Sequence, residues 1–127
     1  MRRNISSGAS WEAVVGYSRA VRVGNIIQVA GTTAVDAEGK PFAPGDPYAQ
    51  TIRILEIIES ALTQAGATMA DVVRTRIFVT DISRWEEIGR AHGERFAAVR
   101  PAATMVQVAA LIDPVLMVEI EAEAILE

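Results

Sequence analysis

The chain has no cysteine and, among its 127 residues, one histidine (His92) and one lysine (Lys40). Each scarcity removes a class of chemistry. Without Cys there is no disulfide framework, no thiolate nucleophile and no Cys-based zinc site. A single His excludes a multi-His metal site within one chain, and any Ser-His-Asp arrangement would have to use His92. A Schiff base would depend on Lys40, which sits in the turn-like run Glu38-Gly39-Lys40-Pro41. No apolar run approaches the roughly 20 residues needed to span a bilayer. Arg2 and Arg3 are followed by no apolar stretch, so the beginning of the chain lacks the pattern of a secretory signal. These absences set the expectation of a soluble, cytoplasmic protein with no membrane partner.

Positive charge is also sparse. Twelve Lys and Arg stand against sixteen Asp and Glu, for a net charge of -4. Nonspecific nucleic-acid binding rests on many cations neutralising phosphates, so no nucleic-acid partner is expected. With 50% apolar and 22% charged residues, the composition is that of a folded globular chain. The length suits one domain, residues 1–127, with its own core.

The pattern along the chain alternates strands and helices. Ser18–Val23 and Ile26–Ala30 read as a hairpin around Gly24-Asn25. Residues 33–46 carry Gly39, Pro41, Pro44 and Gly45 and read as a loop long enough to be functional. Asp46 with Pro47 opens a helix that ends before Gly66, its buried face supplied by Ile52, Leu55, Ile58 and Leu62. Val72–Thr80 alternates as a strand, with Val73, Thr75, Ile77 and Val79 on one face. Ser83 with Glu86 has the capping-box spacing and opens a second helix, with Trp85, Ile88, His92, Phe96 and Val99 on its apolar face. Thr104–Ala109 and Leu116–Ile125 complete the strands, joined by a turn over Leu111–Pro114. The order strand-strand-helix-strand-helix-strand-strand predicts an α+β two-layer sandwich, a sheet covered on one face by two helices. The other face would carry Arg74, Arg76, Gln107, Glu119, Glu121 and Glu123 with Phe78 and Met105. It reads equally as a solvated surface with ion pairs or as an interface with another subunit.

Few residues suggest chemistry by themselves. His92, between Ile88 and Phe96, reads as a hydrogen-bonded core histidine or as a group lining a cleft. The row Glu119-Glu121-Glu123 sets carboxylates side by side, where each raises the pKa of its neighbours. Gly31-Thr32-Thr33 follows a strand and could offer N–H groups and hydroxyls to an anion, although it lacks the spacing and the Lys of a P-loop.

The ordered segments, taken together, resemble one family. These are Gly16-Tyr17, then Val23-Gly24-Asn25-Ile26-Ile27 with Ala30-Gly31, then Ala61-Leu62-Thr63-Gln64-Ala65-Gly66. Asp71-Val72-Val73-Arg74-Thr75-Arg76-Ile77-Phe78-Val79-Thr80-Asp81, Arg100-Pro101-Ala102 and Val118-Glu119-Ile120-Glu121-Ala122 follow. The chain is similar, over nearly its whole length, to the Rid family (RidA/YjgF/YER057c, also called endoribonuclease L-PSP or translation-inhibitor proteins). The resemblance implies a chorismate-mutase-like fold and a homotrimer with clefts between subunits. It also implies hydrolysis of imine and enamine metabolites such as 2-aminoacrylate to 2-keto acids and ammonia, with no metal or other cofactor. In such members an Arg after the Pro-Ala step clamps the substrate carboxylate, a Glu on the last strand positions water, and a Tyr and a Gly line the cleft.

Carried over residue by residue, the resemblance places Glu119 at the water-positioning Glu, Tyr17 at the cleft Tyr and Gly31 at the cleft Gly. The position of the carboxylate-binding Arg holds Ala103, and that of an Asn on the second helix holds Gly89. Losing a charged, bidentate contact costs about 1.5–3 kcal/mol, so the usual substrate anchor is missing. Ala103 with His92-Gly93 and Asp113-Pro114 resembles the Arg-lacking branches of the family. The expected site therefore comprises Glu119 and Tyr17 with Gly31, Thr32, Ala103, Thr104, Met105 and His92, binding a small-molecule metabolite. Backbone N–H groups from Ala103 to Met105 would hold developing charge. A non-catalytic ligand-binding or regulatory trimer is the alternative. Ribonuclease activity is a third reading, against which stand the net charge and the absence of a His pair.

Overall fold

A computed structural model describes residues 1–127. Six strands form one mixed sheet: β1 (Arg2–Ile5), β2 (Ala20–Val23), β3 (Ile26–Thr33), β4 (Val72–Val79), β5 (Ala102–Gln107) and β6 (Val118–Ile125). Their spatial order is β1-β2-β3-β6-β4-β5, and only β4 and β5 run parallel. Two helices, α1 (Pro47–Gln64) and α2 (Trp85–Phe96), cover one face. Between them lies a single apolar cluster built on Ile27, Ile54, Leu55, Ile58, Leu62, Ile88, Phe96 and Ile120. The α+β two-layer sandwich is therefore as expected, with one strand more than the sequence pattern suggested.

The extra strand is β1. Its four residues are mostly polar and exposed, so periodicity does not reveal it. It pairs with β2, setting Arg3 opposite Arg22. Two like charges side by side would repel, but both reach the C-terminus of α1. Arg3 donates to the Gln64 carbonyl at 2.8 Å and Arg22 to the Ala65 carbonyl at 2.7 Å. Those carbonyls lack helical partners and carry the negative end of the helix dipole, which suits cations. Gly66, at φ +90°, lets the chain turn away there.

The entry to α1 follows the sequence reading: the Asp46 carboxylate accepts from the Ala49 N–H, and Pro47 is the first helical residue. Its buried face is Ile54, Leu55, Ile58, Ala61 and Leu62 with Gln50 and Thr51, while Ile52 lies at the margin. The entry to α2 differs. Asp81, not Ser83, caps a short 3₁₀ turn over Ile82–Arg84, accepting from both the N–H and the hydroxyl of Ser83. Ser83 is thereby spent on Asp81, and no Ser83–Glu86 capping box forms. Trp85 is exposed, and Ala91 joins Ile88 and Phe96 in the buried face.

Two register shifts matter for the site. Between β4 and β6 an extra residue at Val73 turns Val72 inward and leaves Val73 exposed, so Val73 does not share the buried face of Thr75, Ile77 and Val79. Between β3 and β6 the ladder slips at Ala30-Gly31, and such bulges re-aim side chains. In β5, Met105 is level with Ile77 and packs against the core, and Gln107 is level with Val79. Both therefore belong to the helix side of the sheet, not to the polar face. That polar face carries Gln28, Arg74, Arg76, Phe78, Glu119, Glu121 and Glu123, with one cross-strand ion pair, Arg76–Glu121 at 3.5 Å.

Candidate functional site

Glu119 stands on the polar face in one row with Thr33 of β3 and Phe78 of β4. The bulge brings the Gly31 backbone so near that a Cβ at position 31 would collide with Glu119 Oε2. Close approach is the reason this position suits glycine. Burial pushes the Glu119 carboxyl above its ordinary pKa of 4.5; the charge of Arg19 pulls it back and that of Glu121 adds to the rise. A carboxyl tuned upward by desolvation can both take and return a proton nearer neutrality.

Tyr17 and Arg19 join this group from the segment leading into β2. Residues two apart on an extended chain share a face, and the Arg19 guanidinium lies over the Tyr17 ring, 5.6 Å from its centroid. Arg19 Nη2 donates to the Gly31 carbonyl at 2.8 Å. Tyr17, Arg19 and Thr33 line one end of a cavity of about 780 Å³, closed elsewhere by residues 6–11, the 35–39 loop and α1. Tyr17 also borders a second concavity of about 640 Å³ that reaches Gln28 and Glu121. Glu119 lies in the wall of neither.

A second cluster sits under α2. His92 shares a 2.9 Å hydrogen bond with the Thr75 hydroxyl and stacks on Phe96 at 4.7 Å between ring centroids. Thr75 is fully buried, His92 is half-buried, and burial holds the imidazole below its ordinary pKa of 6.5. Thr75 is level with Ala103 on β5, the sheet edge, where the outward N–H and C=O groups have no neighbouring strand.

Of the residues singled out from sequence, Tyr17, Gly31 and Glu119 are brought together. Ala103 is not among them. It is level with Thr75 and Ala122, on the helix side, whereas Glu119 points to the other face. Two strands across and three residues along separate the two backbones by roughly 14 Å. Thr104 lies on the polar face and accepts from Arg74 at 2.7 Å. The side chains of Thr32 and Met105 face away from Glu119, while the Met105 backbone lies on the edge strand β5. The bulge turns Thr32 into the core, where its hydroxyl is spent on the Ala30 carbonyl, and Met105 packs against the core. Arg19 was not singled out, although its spacing of two from Tyr17 on an extended segment was a usable signal.

No group of three or more His, Asp or Glu side chains could hold a metal ion, and no helix is long and apolar enough to cross a membrane. Residues 7–126 match the Endoribonuclease L-PSP family. Rv2704 from Mycobacterium tuberculosis, described as a member of the YjgF/YER057c/UK114 family, is 54% identical, with a TM-score of 0.91 over 99% of this chain and 100% of that one. A RutC family protein of Pyrococcus abyssi is 38% identical over 86% of this chain and 84% of its own. An uncharacterized Streptomyces coelicolor protein, SCO2049, is 37% identical over 96% and 90% respectively.

Proposed function

The chain belongs to the Rid (YjgF/endoribonuclease L-PSP) family, and from that premise we propose that it is a cytoplasmic homotrimer hydrolysing small imines or enamines in a cleft between subunits. The observation that carries this reading is Glu119, a desolvated carboxyl on a strand, pressed against Gly31 and facing the charge of Arg19. Glu119 accepts a proton from water as the oxygen adds to the C=N carbon. Glu119 returns that proton to nitrogen, giving a carbinolamine. The hydroxyl proton then passes to the amine as the C–N bond breaks, and carbonyl product and ammonia leave. An enamine first tautomerises to the imine. One water is consumed for each ammonia released. No step needs Cys, Lys, metal or cofactor.

Assembly is supported by what one chain leaves open. The sheet face opposite the helices is uncovered, and Trp11, Val14 and Val15 beside Tyr17 are 61%, 76% and 68% exposed. An apolar cluster of this kind marks an interaction surface. The exposed edge of β5 with Ala103 lies far from Glu119 within one chain, so only a second copy could bring the two elements to one ligand. His92 with Ala103 and Thr104 would then form the opposite wall of the cleft, with edge N–H groups facing the substrate.

The test is ammonia release from freshly generated 2-iminopropanoate by the wild type and by Glu119→Gln. Equal rates would sink the assignment. A binding-only trimer is the second reading, favoured by Ala103, which offers no charge where related proteins clamp a carboxylate. It predicts no turnover on any imine together with a thermal shift on adding small acids or amides.

A further inference from the structure

Arginine is the chain's main cation, and most of its arginines are committed. Arg3 and Arg22 cap α1, Arg53 holds the Val35 carbonyl, and Arg84 and Arg95 pair with Glu87 and Glu59. Arg19 is the exception that lies beside the proposed site. A guanidinium has five N–H donors, and Arg19 uses one, from Nη2 to the Gly31 carbonyl. Its Nε is buried with no partner at all. Buried donors are ordinarily satisfied, so leaving this one unpaired costs the fold free energy, and, being buried, it is not itself the donor that a ligand would meet. The Gly31 carbonyl and the Tyr17 ring fix the guanidinium's position while both N–H groups of Nη1 and one of Nη2 remain unclaimed.

Nor does Glu119 consume the charge. The two groups attract each other, yet no ion pair joins them. A cation and a carboxyl flank Gly31 without an ion pair, so one ligand spanning them would offer an anionic end to the first and a reactive carbon to the second.

We propose that Arg19 is the anion-binding, specificity-determining residue of this site, taking the carboxylate of a small 2-imino or 2-keto acid in place of the arginine absent at position 103. The proposal rests on the reading of Glu119 as the centre of the cleft. Planar guanidinium donors match two carboxylate oxygens, and stacking on Tyr17 limits the rotamers that binding must freeze. The ligand class is correspondingly narrow: a monoanion short enough to set its second carbon against Glu119.

Calorimetric titration of the full-length protein with pyruvate and with its neutral isostere pyruvamide tests this without requiring turnover. The wild type should bind pyruvate at least about ten-fold more tightly, the gap expected of one charged contact. Arg19→Gln should bind both alike, and Arg19→Lys should keep part of the preference. A wild type without preference, or a folded Arg19→Gln that retains it, overturns the proposal. So does a loss of oligomer size in Arg19→Gln when the wild type shows no preference, which would make Arg19 an intersubunit ion-pair residue. Should Arg19→Gln fail to fold, the Arg19 side-chain N–H resonance of the wild type is followed during the pyruvate titration. A shift that saturates with binding supports the assignment, and an unmoved resonance overturns it. Preference for pyruvate without any ammonia release would refute the hydrolase reading and leave Arg19 in place.

Discussion

Around Glu119 the chain sets a carboxyl beside a bulged strand, a cation and a ring, the last two lining a cavity. Around His92 it closes an imidazole between a buried hydroxyl and a phenyl ring. Both groups are pushed by desolvation toward their neutral forms. The first cluster leaves donors unspent, whereas the second pairs its Thr75 hydroxyl with His92. Unspent polar groups are the mark of a site awaiting a ligand, and satisfied ones the mark of packing. On the proposed reading, the contrast separates Glu119 and Arg19, where chemistry is expected, from His92, where packing is expected.

The largest effect that could break this contrast is on turnover. Glu119→Gln keeps the size and removes the proton acceptor, so ammonia release from 2-iminopropanoate should fall about 10²-fold or more, with circular dichroism and oligomer size unchanged. His92→Gln should change the same rate by less than about three-fold; a loss matching that of Glu119→Gln would reverse the assignment. Gly31→Ala comes next. The new methyl must displace the Glu119 carboxylate, and misplacing a catalytic group by about 1 Å can cost up to about 10²-fold. A loss of about ten-fold is expected here, because the carboxylate end of the side chain can partly readjust. The melting temperature should scarcely move.

What was legible in the sequence divides along the same line. The Asp46-Pro47 start of α1, the Gly24-Asn25 hairpin and the alternation in β6 were readable because each follows from local chemistry. The polar strand β1 was not, since its reason for existing is the C-terminus of α1, about 60 residues away in sequence. Within the site, Tyr17, Gly31 and Glu119 came through resemblance to known proteins. Arg19 departs from no local rule, and its importance appears only when the bulge at Ala30-Gly31 sets a carbonyl against it. Met105 and Gln107 were assigned to the wrong sheet face for one reason: facing in a strand depends on register, and a bulge or an edge pairing resets it.

Thr75→Val has a smaller and purely structural effect. It preserves shape but leaves His92 Nε2 without its partner, at a cost of about 1 kcal/mol. A domain of this size should lose about 3–6 °C in melting temperature, with ammonia release within about two-fold of wild type. A large kinetic loss would show that His92 belongs to the reacting wall.

The finest test is the sign of the pH dependence of stability. The folded state raises the Glu119 pKa, so between the ordinary value of 4.5 and that raised value the folded protein holds more protons than the unfolded chain. Stability from this group is therefore complete below the ordinary carboxylate pKa and is lost as pH rises. His92 has the opposite sense. Its folded pKa lies below the ordinary 6.5, so its contribution is complete above that value and is lost as pH falls through the lowered one. Glu119→Gln should consequently raise the melting temperature relative to wild type at pH 7, and the gain should fade toward pH 4. His92→Gln should be neutral or slightly destabilising at pH 7 and lose less than wild type on acidification. Differential scanning calorimetry from pH 4 to 8 reads both slopes. Parallel slopes for the two variants would mean that one of the groups is not desolvated as the fold requires, and with it would go the division between a site that stores charge for a ligand and a wall that excludes it.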